Sequence, residues 1–147
     1  MATTVTNSTF KVTIVEELLL NGEQQGTTTR LLIPATGTSI DEYSRRIVTC
    51  AEAGTSLAVF GTTGAGTYPV ADVKYIRITN LDGTNYITIE LATADADCFI
   101  KVPAGHTFLL GGAQGMADDD ATLRDLTRIN VTANGDPVDV ELIVVSV

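Results

Sequence analysis

The side chains that could do chemistry are few and lie far apart in the sequence. His106 is the one histidine, and Cys50 and Cys98 are the two cysteines. A catalytic triad, or a metal site of several imidazoles and thiolates, needs more of these groups close together. We therefore interpret His106 as a structural or surface residue. The sequence predicts no enzyme, no catalytic residue, no metal site and no cofactor.

Carboxylates are the groups that could still form a site. Asp118, Asp119 and Asp120 are consecutive, and hard cations such as Ca²⁺ prefer carboxylate oxygens. Consecutive residues of one loop rarely point at one ion, so we favour a solvated loop or a helix cap. Asp95 and Asp97 form a second acidic pair, but without flanking aromatic residues they are a weak candidate for glycosidase carboxylates.

The charge balance argues against a nucleic-acid partner. The chain has 18 acidic and 9 basic residues, for a net charge of −9. This charge repels a phosphate backbone, and the basic pair Arg45-Arg46 stands alone.

The apolar runs are too short to span a bilayer, and the N-terminus shows no secretory signal. We expect cytoplasmic synthesis and no membrane partner. We favour two buried free thiols, with a disulfide between Cys50 and Cys98 as the alternative.

The elements that must position any site are predicted to be strands. Hydrophobic residues make up 44% of the chain, Gly occurs 13 times, and Trp is absent. The abundance of Thr, Val and Ile, with turn signals at short intervals, is typical of pleated sheets. We therefore predict an all-β, antiparallel β-sandwich or jelly-roll-like fold, with at most one or two short helical turns.

Three hairpins are predicted from alternating apolar residues around turn signals. The first folds about a type I′ turn at Asp82-Gly83, with positive φ at both residues, and pairs Ile76 with Ile89 and Ile78 with Ile87. The second turns at Pro103-Ala104-Gly105, between the alternating residues 98–102 and 106–110. The third turns at residues 134–137, between residues 129–132 and the last strand.

Three further segments complete the prediction. Ser39–Glu42 matches a helix capping box, but the strand propensity of Arg46–Cys50 favours a strand there. The three aspartates at 118–120 could cap one helical turn over Ala121–Leu126. The last strand, Val138–Val147, becomes apolar on both faces, which predicts a central place in a sandwich or cover by another subunit.

The predicted organisation is an N-terminal arm of residues 1–9 followed by a single β-sandwich domain of residues 10–147. The arm is polar and rich in Thr, and we expect it to be ordered by a neighbouring subunit. The residues that we expect at that interface are Met1, Thr3, Thr4, Val5, Thr6, Asn7 and Thr9.

Three stretches carry a resemblance to a class of known proteins. They are YIRITNLDGTNYITI (75–89), IKVPAGHTFLL (100–110) and VDVELIVVSV (138–147). In these stretches the chain resembles the small β-sandwich structural proteins of tailed bacteriophages, which decorate or cement capsids or form tail parts. The resemblance implies a non-enzymatic virion protein, made in the host cytoplasm, that forms oligomers, often trimers, on a larger capsid or tail protein. An acidic surface favours the outside of the shell.

Two alternatives stay open beside this capsid decoration or cement role. A tail or adhesin component would bind a receptor or a carbohydrate through an exposed aromatic platform, for which Tyr75 and Tyr86 are the candidates. A metal-dependent jelly-roll enzyme is the other alternative, because the turn before His106 resembles the Pro-x-Gly turn of cupins.

The Gly-rich loop at 61–66 lacks the Lys-Ser/Thr of a phosphate-binding loop.

Overall fold

A computed structural model shows a chain built of strands. It describes residues 9–33, 40–62, 64, 66–114, 116–117 and 123–147, and no helix occurs among them. The strands divide between two compact units, one with the strands between Phe10 and Ile33 and one with the strands from Glu42 to Ser146. The predicted all-β class is confirmed.

The first unit is a long β-hairpin of four short strands. They are β1 (Phe10–Val15), β2 (Leu19–Leu20), β3 (Glu23–Gln24) and β4 (Thr28–Ile33). Strand β1 pairs with β4 and β2 with β3, all antiparallel. Asn21 and Gly22 join β2 to β3 with φ values of 52° and 83°. Positive φ at both central residues is the requirement of a type I′ turn, which Asn-Gly favours.

The second unit is a sandwich of two antiparallel sheets. Its strands are β5 (Glu42–Cys50), β6 (Thr55–Gly61), β7 (Tyr68–Pro69), β8 (Val73–Asn80), β9 (Ile87–Ala92), β10 (Asp97–Val102), β11 (Thr107–Leu110), β12 (Met116–Ala117), β13 (Leu123–Arg124), β14 (Arg128–Ala133) and β15 (Val138–Ser146). The first sheet has the order β11-β8-β15-β5, and the second has the order β10-β9-β14-β6, to which β7 adds in parallel. Strands β12 and β13 form a separate pair.

The strand pairing is that of a jelly roll. Taken in chain order, β5 pairs with β15, β6 with β14, β8 with β11, and β9 with β10. The first main strand therefore pairs with the last, the second with the second-last, and so on inward. This nesting of eight strands into two sheets is the jelly-roll arrangement, so the predicted jelly-roll-like sandwich is confirmed.

The hydrophobic core lies between the two sheets. Ile76 and Ile78 of β8 and Leu142 of β15 project from the first sheet, and Ile87 and Ile89 of β9 project from the second. All five side chains are almost fully buried. Ile78, Ile87 and Ile89 alternate with half-buried residues, which is the pattern expected where one sheet face packs more closely than the other. Strand β15 differs, because its residues are buried on both faces from Val140 to Ser146.

The predicted hairpin about Asp82-Gly83 is wrong. Strand β8 pairs with β11 and β15, while β9 pairs with β10 and β14, so the loop crosses from one sheet to the other. Gly83 does not have a positive φ. The Asp82 carboxylate instead accepts hydrogen bonds from the backbone N–H groups of Thr84 and Asn85, each at 2.6 Å. The isoleucines predicted to be cross-strand neighbours belong to opposite sheets and contribute to the core between them.

The two other predicted hairpins are also crossings between sheets. Strands β10 and β11 belong to opposite sheets, as do β14 and β15. The connections after β5, β8, β10 and β14 all cross at the same end of the sandwich, and we call them the four arches. A hairpin does occur between β9 and β10, where the pairing begins at Ala92 and Asp97, and it was not predicted.

Asn80 holds neighbouring arches together. Its side chain is fully buried at the end of β8, and its amide donates hydrogen bonds to the carbonyls of Asn85, Val102 and Pro103 at 2.9, 3.3 and 3.2 Å. Its side-chain oxygen accepts a bond from the N–H of Asp82 at 3.0 Å. One buried amide thus links the arch after β8 to the arch after β10, and its own hydrogen-bonding groups are satisfied.

The remaining predictions for single segments have separate outcomes. The strand preferred over a helix near Arg46 is confirmed by β5. Of the helical turn proposed over Ala121–Leu126, residues 123–126 are described, and none is helical. The last strand lies between β5 and β8, so the central place predicted for it is confirmed. The division into an arm of residues 1–9 and one domain of 10–147 stays a prediction.

Candidate assembly surfaces

The polar residues singled out as possible chemistry do not come together. His106 is exposed on an arch, where its Nδ1 lies 2.8 Å from the carbonyl oxygen of Ala104. Asp95 forms an ion pair with Arg124 at 3.2 Å. Asp118–Asp120 lie outside the described residues. Across the described part of the chain, no three His, Cys, Asp or Glu side chains group as a metal site would require.

The two tyrosines proposed as a sugar platform are separated. Tyr75 lies on β8 of the first sheet and is 5% exposed, and its burial raises the pKa of its hydroxyl. Tyr86 immediately precedes β9 of the second sheet, and the Lys101 ammonium lies 3.9 Å from its ring centre. The two rings therefore do not form one exposed surface, which counts against carbohydrate binding through them.

Both cysteines are free thiols, but only one is buried. Cys50 ends β5 inside the sandwich, and burial, with a smaller contribution from the Asp139 charge, raises the pKa of its thiol to about 11. Cys98 lies on β10, an edge strand of the second sheet, and is exposed. The prediction of a buried thiol is thus right for Cys50 and wrong for Cys98, which lies on a strand that pairs on one side only among the described strands.

The predicted interface residues fall almost entirely outside the described chain. Met1, Thr3, Thr4, Val5, Thr6 and Asn7 are not described, and Thr9 is exposed just before β1. The described chain carries two other surfaces that have the character of interfaces. One is on the hairpin of the first unit, and the other is on β5 at the edge of the sandwich.

The first surface is the hairpin apex, by which we mean residues 14–24. Five large apolar side chains are between 44% and 73% exposed there, namely Ile14, Val15, Leu18, Leu19 and Leu20. Strands β1 to β4 pair only with one another within the described chain. A two-stranded hairpin is marginally stable in water by itself, and a run of exposed apolar residues usually marks an interaction site. The hairpin apex therefore has the properties of a contact surface.

The second surface is the outer side of β5, with Tyr43, Arg45 and Ile47, which we call the β5 face. Tyr43 is 53% exposed and Ile47 is 59% exposed. Their neighbours on the strand turn the other way, since the Ser44 hydroxyl lies 3.0 Å from the Tyr68 hydroxyl and Arg46 reaches the Leu57 carbonyl. Over the described residues, β5 pairs with β15 on one side and with no strand on the other.

A charge cluster fixes the side chains beside Ile47. Glu141 of β15 accepts a hydrogen bond from the Arg45 Nε at 2.7 Å and pairs with Arg77 of β8 through its other oxygen. The glutamate is almost buried, whereas the Arg45 side chain is 59% exposed. The bond from Arg45 chiefly, and that from Arg77, hold the pKa of Glu141 below its ordinary value. Two guanidinium groups around one carboxylate leave a positive spot on this face.

The outer face of the second sheet has a different character. Glu90 accepts hydrogen bonds from Asn130 at 2.7 Å and Arg128 at 3.2 Å, and these bonds lower the pKa of its carboxyl. Phe99, on the edge strand β10, is 66% exposed. It provides a matched control position, because it is a large exposed apolar side chain that belongs to neither candidate surface.

A signal for the hairpin apex is present in the sequence, although none of the predictions above included it. Asn21-Gly22 is the most favourable dipeptide for a two-residue hairpin, and Leu18–Leu20 directly precedes it. An apolar run beside such a turn predicts exposed hydrophobic side chains, because the tip of a hairpin has little to pack against. The β5 face has no such signal, since the sequence does not show which face of β5 packs against the second sheet.

No protein-family model matches the chain, and the search of curated proteins gives no match. Among solved structures, the chain is similar to a protein of Bacillus endospore appendages, which are described as a novel family of disulfide-linked pili. The identity is 11%, the match covers 99% of this chain and 93% of that chain, and the TM-score is 0.49. Similarity at this level does not identify a function.

One further observation concerns membranes. The described residues contain no helix of the length and apolarity needed to cross a bilayer.

Proposed function

We propose that this chain is a non-enzymatic structural protein that assembles with other copies of itself. The observation that carries the proposal is the concentration of exposed apolar side chains on the hairpin apex and on the β5 face. Monomeric soluble proteins rarely expose contiguous apolar patches of this kind. A subunit that covers them with a neighbour gains the free energy of burying that area.

The open side of β5 supports the same proposal. It is a nine-residue strand whose free side has no partner strand in the described chain. Unpaired backbone N–H and C=O groups on a long edge strand can pair with another chain, and soluble proteins usually shield such edges. A neighbouring subunit that lies against β5 would provide that shield.

Within this class, we favour a virion component that decorates or cements a capsid, made in the host cytoplasm and bound to the outside of the shell. The jelly-roll arrangement supports this choice because viral capsid domains use it, although lectins and cupins use it too. The net charge of −9 suits an exterior position, away from packaged nucleic acid. The partners would be further copies, in a trimer for example, and a larger capsid or tail protein.

Self-association is tested by the mass of the purified chain. Sedimentation velocity over a wide concentration range should show oligomers that grow with concentration, and a trimer would give one discrete species. A chain that stays monomeric throughout, with no added partner, would overturn the proposal of self-assembly. Metal analysis of the same sample addresses the enzyme alternative, because one bound metal ion per chain would support it.

The virion role is tested on particles from the source organism. The chain should co-purify with intact particles through a density gradient, and antibodies against it should label their outer surface in electron micrographs. Its absence from all particle fractions would contradict the virion role and leave self-assembly to be judged by its own experiment.

A further inference from the structure

We infer that the hairpin apex of one copy docks on the β5 face of a second copy, so that the chain assembles head to tail. This inference rests on the proposed self-assembly and names the two surfaces that make the contact. It goes beyond that proposal because it names the surface that each surface binds, and this pairing determines the symmetry of the assembly.

The apolar parts of the two surfaces match. The hairpin apex presents Leu18, Leu19 and Leu20 in succession, all more than half exposed. The β5 face presents Tyr43 and Ile47, with the charged Arg45 between them. Aromatic residues and arginine are enriched at protein interfaces, so the Tyr43-Arg45 pair gives the β5 face that character.

The charges of the two surfaces are complementary. Glu16, Glu17 and Glu23 are exposed on the hairpin apex, which contains no Lys or Arg. On the β5 face, by contrast, Arg45 and Arg77 surround the single Glu141, although the chain as a whole has a net charge of −9. Two copies of so acidic a protein repel each other at most orientations. Approach of the acidic apex to the positive spot removes that barrier.

The same charges oppose the two symmetric alternatives. If two β5 faces met across a two-fold axis, Arg45 would approach the positive face of its partner. If two hairpin apices met, each would bring Glu16, Glu17 and Glu23 against the same three carboxylates. Like charges in contact cost free energy, so the unlike pair of surfaces is favoured.

A head-to-tail contact has a consequence for the assembled form. Because the two surfaces differ, each copy that binds leaves one hairpin apex and one β5 face unoccupied. Such contacts continue until a ring closes or a filament forms. Strand addition along the open side of β5 would strengthen the contact, since backbone hydrogen bonds do not depend on side-chain identity.

Two variants, each with one surface blocked, test the inference. Leu19→Lys places a positive charge on the hairpin apex, and Ile47→Asp places a negative charge on the β5 face, at positions that are 73% and 59% exposed. Phe99→Asp is the control, because its side chain is similarly exposed and belongs to neither surface. Circular dichroism and thermal unfolding would confirm folding, and the corresponding Ser variants replace any variant that does not fold.

The expected result is specific to unlike surfaces. Each blocked variant alone should associate at least about tenfold more weakly than the wild type. An equimolar mixture should form a dimer and nothing larger, because one variant retains only the β5 face and the other retains only the apex. The Phe99→Asp variant should assemble as the wild type does.

Four outcomes would overturn the inference. If the wild type assembles and either blocked variant still assembles equally well, the contact is symmetric or lies elsewhere, and self-assembly itself stands. If the mixture gives no dimer, the two surfaces do not bind each other. If Phe99→Asp also abolishes assembly, the effect is not specific to the two surfaces. A monomeric wild type, including one whose apex binds phospholipid vesicles, would overturn both proposals.

Discussion

Asn80 shows how a single buried polar residue decides the path of the chain. It follows Ile76 and Ile78 at the same alternation along β8, so it occupies a position that faces the core. A polar group there must find partners in the protein, and its amide finds them in the backbone of two arches. The residue therefore favours a crossing to the second sheet at the end of β8, where the alternation of the isoleucines alone predicts a hairpin.

The two thiols should differ in reactivity. The thiolate is the reactive form, and burial both hides Cys50 and raises its pKa to about 11. Cys98 is exposed and offers an internal comparison. A thiol-specific chromogenic reagent should modify one thiol per native chain at neutral pH and both after denaturation. Rapid modification of both thiols in the native protein would contradict the burial of Cys50.

Glu141 should make stability depend on pH. Its folded-state pKa is lowered, chiefly by the bond from Arg45, so the unfolded chain binds more protons between that value and the ordinary value of 4.5. Its contribution to stability is therefore present above pH 4.5 and lost as the pH falls through the folded-state pKa.

The Glu141→Gln variant tests this dependence. It should be less stable than the wild type at neutral pH, and the difference should vanish in acid. The number of protons taken up on acid unfolding should fall by about one at most. Urea unfolding at a series of pH values measures both quantities, and parallel curves for the two proteins would contradict the role of Glu141.

At the scale of elements, the arches explain why alternation in the sequence predicts hairpins that the fold does not contain. Residues that alternate along two successive strands pack together whether the strands are hydrogen-bonded neighbours or face each other across a core. The aliphatic faces of β8 and β9 were identified correctly, and both are buried. The strands that pair with them were not identified, because the pattern of apolar side chains does not show which strands are hydrogen-bonded to each other.

Glycine substitutions distinguish the two kinds of turn. Gly135, in the arch after β14, has a φ of 92°, and an added Cβ would meet nothing within 4 Å. Valine there should destabilise the chain by about 1–3 kcal/mol, through backbone strain alone. Gly83 is equally uncrowded but lacks a positive φ, so Gly83→Val should change the free energy of unfolding by only about 0.5 kcal/mol. Urea unfolding measures both, and equal losses would restore the type I′ turn at Asp82-Gly83.

For the whole molecule, the nested pairing makes the sandwich depend on its last strand, β15. Strand β15 joins β5 to β8 in the middle of the first sheet, and Val144 and Val145 near its end are buried. Every strand of that sheet except β11 contacts it directly. The sandwich therefore cannot form until β15, Val138–Ser146, is available.

Two truncations test this dependence on β15. Deletion of residues 143–147 should abolish cooperative unfolding, because it removes nearly half of the central strand. Deletion of residues 1–9 should leave the free energy of unfolding within about 1 kcal/mol of the wild type and should weaken assembly if the arm contacts a neighbour. Thermal unfolding and sedimentation measure these outcomes. A folded C-terminal truncation would contradict the central role of β15.

The sequence by itself determined the fold class, the core faces of β8, β9 and β15, and the shortage of imidazole and thiol groups, because composition and alternation act residue by residue. It did not determine the sheet to which each strand belongs, since pairing depends on contacts between residues far apart in the chain. The β5 face follows from that choice, because β15 pairs with one side of β5 and no strand of the described chain pairs with the other. Tertiary structure alone therefore decided which residues lie beside Arg45, and with them the positive spot proposed to receive the hairpin apex.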